Sequence, residues 1–200
     1  MRINAAATAD LAQAVDCLAD AFAEDPITGF LLQTGPGYRG RVTQFFSLLM
    51  GARLALHMPV LVASDGADTV GAAMGYATAP PAWPPDWAQA WDRFERAVPG
   101  LPDRMSVYDE VARRGMPTSP HYYLGVIGVD PARQGQGIGR ELLAAFCALS
   151  DADGLSGGVY LETANPANVR FYERAGFEET ARGALGSQTL WCMFRPRRQG

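Results

Sequence analysis

Apolar positions in this chain recur at two spacings, and the change from one to the other marks out the elements. Leu11, Val15, Leu18 and Phe22 stand at i, i+4, i+7 and i+11, one face of a helix with Thr8 as its expected N-cap and an end near Asp25-Pro26. A short helix over 26–32 stops at Gly35-Pro36-Gly37. Phe45, Phe46, Leu48, Leu49, Leu54 and Leu56 predict a third helix over 41–57. A hairpin follows: strand 59–63, a turn at Asp65-Gly66, and strand 70–78, weakened by Gly71 and Gly75. Pro81, Pro84 and Pro85 then punctuate an insert over about 80–120. It carries a helix over 86–97, with Trp87, Trp91 and Phe94 on one stripe, and another over about 103–114. The stripe is expected to pack on the sheet; the alternative is that Trp83, Trp87 or Tyr108 lines a ligand pocket.

The second half is a strand, turn, helix, strand unit. A β-branched run ends the strand 122–129 at Asp130-Pro131, where proline removes an N–H. Ile138, Leu142, Ala145, Phe146 and Leu149 then recur at helical spacing, and 159–162 reads as a strand. A further helix bearing Phe171-Tyr172 closes at Gly176. Two last strands, 177–181 and 189–194, are expected to join around Gly183 to Gly186.

Composition narrows the class. Two hundred residues, 48% of them hydrophobic, suit one domain spanning 1–200 with a sizeable core. The net charge of −4 argues against nucleic acid as a partner. No apolar run approaches ~20 residues, and Met1-Arg2-Ile3-Asn4 lacks the pattern of a signal peptide. The expectation is a cytoplasmic chain with no membrane partner. Cys17, Cys147 and Cys192 lie far apart, which argues against a disulfide framework and against a metal site, and predicts small buried residues. The terminal Arg195-Pro196-Arg197-Arg198 reads as a solvated tail.

Chemistry concentrates at the turn Gln134-Gly135-Gln136-Gly137-Ile138-Gly139. Glycines between a strand and a helix let a ligand approach the backbone, and the helix's first N–H groups have no intrahelical partner. With the macrodipole this makes a phosphate site. A P-loop is excluded, because the turn continues Arg140-Glu141 and the chain has no lysine. A dinucleotide turn needs G-x-G-x-x-G, and here the spacing is G-x-G-x-G, although Glu162 lies about 20 residues on, where a ribose-binding acid would stand.

Gln134-x-x-Gly137-x-Gly139 resembles the pyrophosphate-binding motif of the GCN5-related N-acetyltransferases, the GNAT family. The run from Asn165 through Asn168, Phe171 and Tyr172 to Gly176-Phe177 resembles that family's second signature. Thr189 to Met193 and Ala21 to Pro26 are further similar to its puromycin N-acetyltransferase-like members. The resemblance is strong from about Tyr122 onward and thin between about Gly35 and Pro120. It implies an α/β (α+β) fold: a mixed, mostly antiparallel sheet with a central splayed pair of parallel strands, flanked by helices. It implies acetyl-CoA as co-substrate and no metal. Ile127, Gly128 and Val129 would contact the pantetheine arm through the main chain. Gln134, Gly135, Gln136, Gly137, Ile138, Gly139 and Arg140 would hold the pyrophosphate, and Asn165 or Asn168 the cofactor arm.

Tyr172 occupies the family position of the general acid. For the base, Glu162 at the end of the second splayed strand leads, with His121 and Glu110 as alternatives acting through water. The acceptor implied is a small-molecule amine, attacked directly in a ternary complex. A protein or peptide amine is the alternative within the family. A non-enzymatic acyl-CoA-binding or regulatory module is the alternative outside catalysis. The resemblance also admits a homodimer.

Overall fold

The computed structural model describes residues 1–79 and 82–198; Pro80 and Pro81, the first residues of the expected insert, lie outside that range. Seven strands form one sheet: β1 (Arg2–Ala5), β2 (Val60–Asp65), β3 (Asp68–Tyr76), β4 (Tyr122–Val129), β5 (Gly158–Thr163), β6 (Glu178–Leu185) and β7 (Gln188–Pro196), in the order β1-β2-β3-β4-β5-β7-β6. Every neighbouring pair is antiparallel except β4 and β5. Among the described residues seven α-helices flank it: α1 (Leu11–Ala21), α2 (Pro26–Leu32), α3 (Tyr38–Ala55), α4 (Pro85–Ala97), α5 (Leu101–Gly115), α6 (Ile138–Ala152) and α7 (Pro166–Arg174). This is the mixed, mostly antiparallel α+β architecture that the resemblance implied.

Buried clusters cover both faces of the sheet. Strand alternation sends Leu61 and Ala63 to one face and Val60 and Val62 to the other. On the first face, Leu142, Leu143 and Phe146 of α6 pack with Tyr172 of α7 and Phe177. On the second, Val15 and Leu18 of α1 and Phe46 and Met50 of α3 cover β2, β3 and β4. From Phe45 to Leu54 no residue of α3 is exposed, because α4 lies on its outer side. A Cβ on Gly51 would stand 2.1 Å from the Trp87 ring, so only glycine admits that approach. The stripe of α4 therefore packs on α3, not on the sheet as expected; Trp91 lies 5.8 Å from Phe45.

Other differences are local. Strand β1 escaped the sequence reading: it is four residues at the sheet edge and depends on β2 for its pairing. Thr8 is not an N-cap; the Asp10 carboxylate instead accepts from the Ala7 N–H at 2.7 Å. Gly183 to Leu185 belong to β6, and the turn is shortened to Gly186-Ser187. The three cysteines are buried and unpaired, as expected, and burial pushes the Cys17 and Cys147 thiols up to about 11.

One irregularity sets up the site. Opposite Met74 stands Val126, but opposite Gly75 stands Leu124, so Gly125 is an extra residue on β4. Such a bulge bends a strand and increases its twist. Strand β5 pairs with β4 only at Tyr122 and Tyr123, and beyond Tyr123 the two diverge.

Candidate active site

Where β4 and β5 separate, a cleft of about 1030 Å³ opens between them. Its edges follow from backbone chemistry. The Asp130 N–H donates to the Val70 carbonyl at 3.1 Å. Antiparallel alternation then turns the hydrogen-bonding groups of Gly128 toward β3 and those of Ile127 and Val129 toward the missing strand. All three residues line the cleft, but only Ile127 and Val129 offer it main-chain donors and acceptors. For Gly128 the expected main-chain contact is thus replaced by its pairing in the ladder. Gln134 reaches back toward the Val129 carbonyl at 3.4 Å, and its residue lies on the same wall.

At the mouth, Pro131–Arg133 form a short 3₁₀ turn, and Gly135 and Gly137 both take positive φ, 78° and 84°. Few residues other than glycine adopt that conformation. It aims the start of α6 into the cleft. Gly137 is the N-cap and supplies no side chain, so the first N–H groups of α6 have no intrahelical partner. Gly135, Gly137, Ile138, Gly139 and Arg140 line the cleft. Gln136 does not; between the two left-handed glycines it turns out to solvent. Arg133 is held on Asp65, and that ion pair lowers the Asp65 carboxyl below its ordinary range.

On the opposite wall, Asn165 caps α7, its Oδ1 accepting from the Ala167 N–H at 2.9 Å. Its side-chain amide stays available, so capping and ligand contact coexist. Asn168 lies one turn on, along the same wall. Tyr172 is 5% exposed and packs among Phe171 and Phe177, at ring distances of 5.2 and 5.6 Å. Its hydroxyl pairs with no group among the described residues, and its side of α7 faces the cleft. Burial, with a smaller push from Asp25, drives the phenol well above its ordinary pKa. It is a protonated donor at neutral pH.

Glu162 reaches the cleft from β5. Its Oε2 accepts from the Tyr108 hydroxyl at 2.8 Å, and the Tyr108 and Tyr123 hydroxyls stand 3.1 Å apart. Burial pushes the Glu162 carboxyl up to about 7, against the opposing pull of the Tyr108, Tyr123 and Tyr160 hydroxyls. A carboxyl with that pKa is half ionised at neutral pH, the range of an effective general base. The two alternatives are not near. Glu110 is exposed and paired with Arg114, and His121 lies on Ser119 and the Tyr160 ring; neither lines the cleft. The tyrosine shell was absent from the sequence reading except for Tyr108, since its members come from α5, β4 and β5. Arg53, also on the wall, was missed altogether, because in sequence it is one charge near the end of an apolar helix.

The dinucleotide reading fails on the fold. It needs a parallel sheet with helices on both faces, and here one pair of strands is parallel. Glu162 is enclosed by tyrosine hydroxyls, not poised at a ribose.

Comparison with known proteins agrees with this geometry. The family model described as Acetyltransferase (GNAT) family matches residues 43–177. A mycothiol acetyltransferase of Streptosporangium roseum is 45% identical over 53 residues, 26% of this chain and 16% of that protein. The N-alpha-acetyltransferase RimI of Mycobacterium tuberculosis is 44% identical over 73 residues, 36% of this chain and 44% of that one. The aligned segments thus span less than half of either relative. Among solved structures, one described as histone acetyltransferase HPA2 and related acetyltransferase, from Corynebacterium glutamicum, superposes with a TM-score of 0.76 at 22% identity, over 99% of this chain and 97% of its own. A mosquito arylalkylamine N-acetyltransferase-like protein gives 0.59 at 19%, over 98% and 99%. At these identities the structural likeness carries the fold alone.

Proposed function

The chain belongs to the GNAT acetyltransferase family, and from that premise we propose that it is an acetyl-CoA-dependent N-acetyltransferase acting on a small-molecule amine. The whole of 1–200 serves as one acetyltransferase domain in this reading. The observation that carries it is the convergence in one cleft of free β4 backbone, an uncapped helix start, a protonated Tyr172 and a half-ionised Glu162.

The residues fit acetyl-CoA. Ile127 can pair with the pantetheine amides as an added strand would, while the Val129 carbonyl is met by Gln134 and its N–H stays open to the cleft. The N–H groups at the start of α6 meet the pyrophosphate, and Asn165 and Asn168 flank the arm. Acetyl-CoA supplies an activated acetyl thioester. Glu162, ionised, takes the proton from the attacking amine. The Val129 N–H donates to the oxyanion that develops on the attacked carbonyl, a contact commonly worth about 10²–10³ in rate. As the C–N bond forms and the C–S bond breaks, Tyr172 donates its proton to the leaving sulfur. A phenol is a suitable acid for a thiolate, whose own pKa is near ~8.5.

The acceptor end of the cleft supports the small-molecule reading. Phe45, Trp83, Trp91, Met105 and Tyr108 enclose it with apolar and aromatic surface. The partial likeness to RimI favours a second reading, a protein N-terminal amine. Calorimetric titration with acetyl-CoA, and with CoA and NADH as controls, tests the donor site. Acetyl-CoA binding is expected and NADH binding is not. No binding of acetyl-CoA to folded protein would refute the reading. Release of CoA thiol in the presence of small amines, against peptides with free N-termini, then separates the two acceptors.

A further inference from the structure

Arg53, near the C-terminus of α3, is 3% exposed, and no carboxylate pairs with it among the described residues. Its guanidinium lies 4.2 Å from the centre of the Tyr76 ring. Nη1 donates to the Leu49 carbonyl at 2.9 Å, and the enclosed Nε has no partner. The groups that act on its charge are Tyr76 and Tyr123, and burial pulls it below its ordinary pKa. A buried guanidinium without a counter-charge is costly unless something else supplies one.

Its surroundings say where that charge comes from. Arg53 lines the cleft. A Cβ on Gly125, the bulge residue of β4, would stand 3.4 Å from Nη2 and 3.0 Å from the Tyr123 ring. The missing side chain leaves that nitrogen facing the cleft. Tyr76 and Tyr123 stack at 6.5 Å, and Trp83 donates to the Tyr76 hydroxyl at 2.7 Å, so the platform under Arg53 is rigid. At the far side of the same stack, the Tyr123 hydroxyl meets that of Tyr108, which donates to Glu162. The wall therefore carries an anionic group for an amine at one end and an unpaired cation at the other, with aromatic surface between.

We propose that Arg53 is a specificity-determining residue and that the acceptor is an amine that also bears a carboxylate, an amino acid in the broad sense. This rests on the acetyltransferase reading above. The amine lies toward Glu162 and the carboxylate accepts from Nη2 of Arg53. With Nη1 held by Leu49 and Nε enclosed, Nη2 is the nitrogen left to the cleft, and it suits one carboxylate oxygen.

The test is CoA thiol release with a panel of α-, β- and γ-amino acids bearing aromatic or aliphatic side chains, each against its own carboxamide. The amide's amine is less basic, so the comparison is biased against the proposal. At least one acid is expected to exceed its amide by tenfold or more in kcat/KM, and in R53M that ratio is expected to fall to near one while acetyl-CoA still binds. A purely structural Arg53 would not move the ratio. If no acid outruns its amide, or if R53M keeps the preference, the proposal is wrong. Should R53M fail to fold, the wild-type ratio decides by itself. A wild-type protein that does not bind acetyl-CoA would overturn the acetyltransferase reading and this inference with it; one that binds acetyl-CoA and uses acid and amide alike overturns this inference only.

Discussion

Replacing Tyr108 with Phe removes one hydroxyl and leaves the ring, and its consequence for the pH dependence of turnover can be worked from the site. The Tyr108 hydroxyl donates to Glu162 at 2.8 Å and thereby favours the ionised carboxylate. A hydrogen bond to a charged group contributes about 1.5–3 kcal/mol, and one pKa unit is about 1.4 kcal/mol. Losing the bond should raise Glu162 from about 7 by roughly one unit or more. The active form is the carboxylate, so the rate rises with pH through that pKa. For a shift of about one unit, the wild-type to Y108F ratio of kcat/KM is about tenfold well below pH 7, about fivefold at pH 7, about twofold at pH 8, and near parity above pH 9. The acceptor's own ionisation is common to both proteins and cancels in the ratio. The assay is thiol release at fixed acetyl-CoA across pH 5.5–9.5. A ratio that stays flat with pH would mean that Tyr108 only packs against the acceptor, and would refute the assignment of Glu162 as the titrating base.

The same carboxyl links chemistry to stability. Its folded pKa is raised from 4.5 to about 7, so the stability tied to its protonated form is full below about pH 4.5 and is lost as the pH rises through 7. E162Q, neutral throughout, should lose activity yet gain up to about 3 kcal/mol over wild type at pH 8, or about 6–12 °C in Tm, and almost nothing at pH 4.5; a pH-independent gap in thermal melts would contradict this. Y172F should lower kcat more than tenfold with acetyl-CoA affinity changed less than twofold, and full activity would remove Tyr172 as the proton donor. In G75A the new methyl would stand 1.9 Å from the Tyr123 carbonyl oxygen and 2.6 Å from the Phe146 ring. A backbone oxygen cannot step aside, so a loss of about 1–3 kcal/mol or more is expected by denaturant titration; unchanged stability would show that β3 and β4 are not in that close register.

Local patterning carried most of the fold. Most helix ends stood within a few residues of their expected bounds, because amphipathic spacing and Gly/Pro punctuation act within a few residues; α1 departs most, ending at Ala21 and not near Asp25-Pro26. The glycine turn was legible for the same reason: Gly135 and Gly137 need positive φ, and the helix start behind them follows at once. Asn165 as a cap is equally local.

What sequence alone did not determine depends on contacts between distant segments. Tyr108 and Glu162 are 54 residues apart and meet only because α5 packs on β6 and β7, beside β5. Glu162 could be named as a carboxylate at a strand end, but its pKa near 7 is a product of burial beside three tyrosines from three elements. Strand β1 exists because β2 offers it an edge. Arg53 reads as an ordinary helical arginine until the sheet, Tyr76 and the side-chain-free bulge at Gly125 enclose it on all sides but the cleft. Periodicity and turn chemistry are properties of neighbours along the chain. Desolvation and the meeting of charges are properties of neighbours in space, and the tertiary structure decides those.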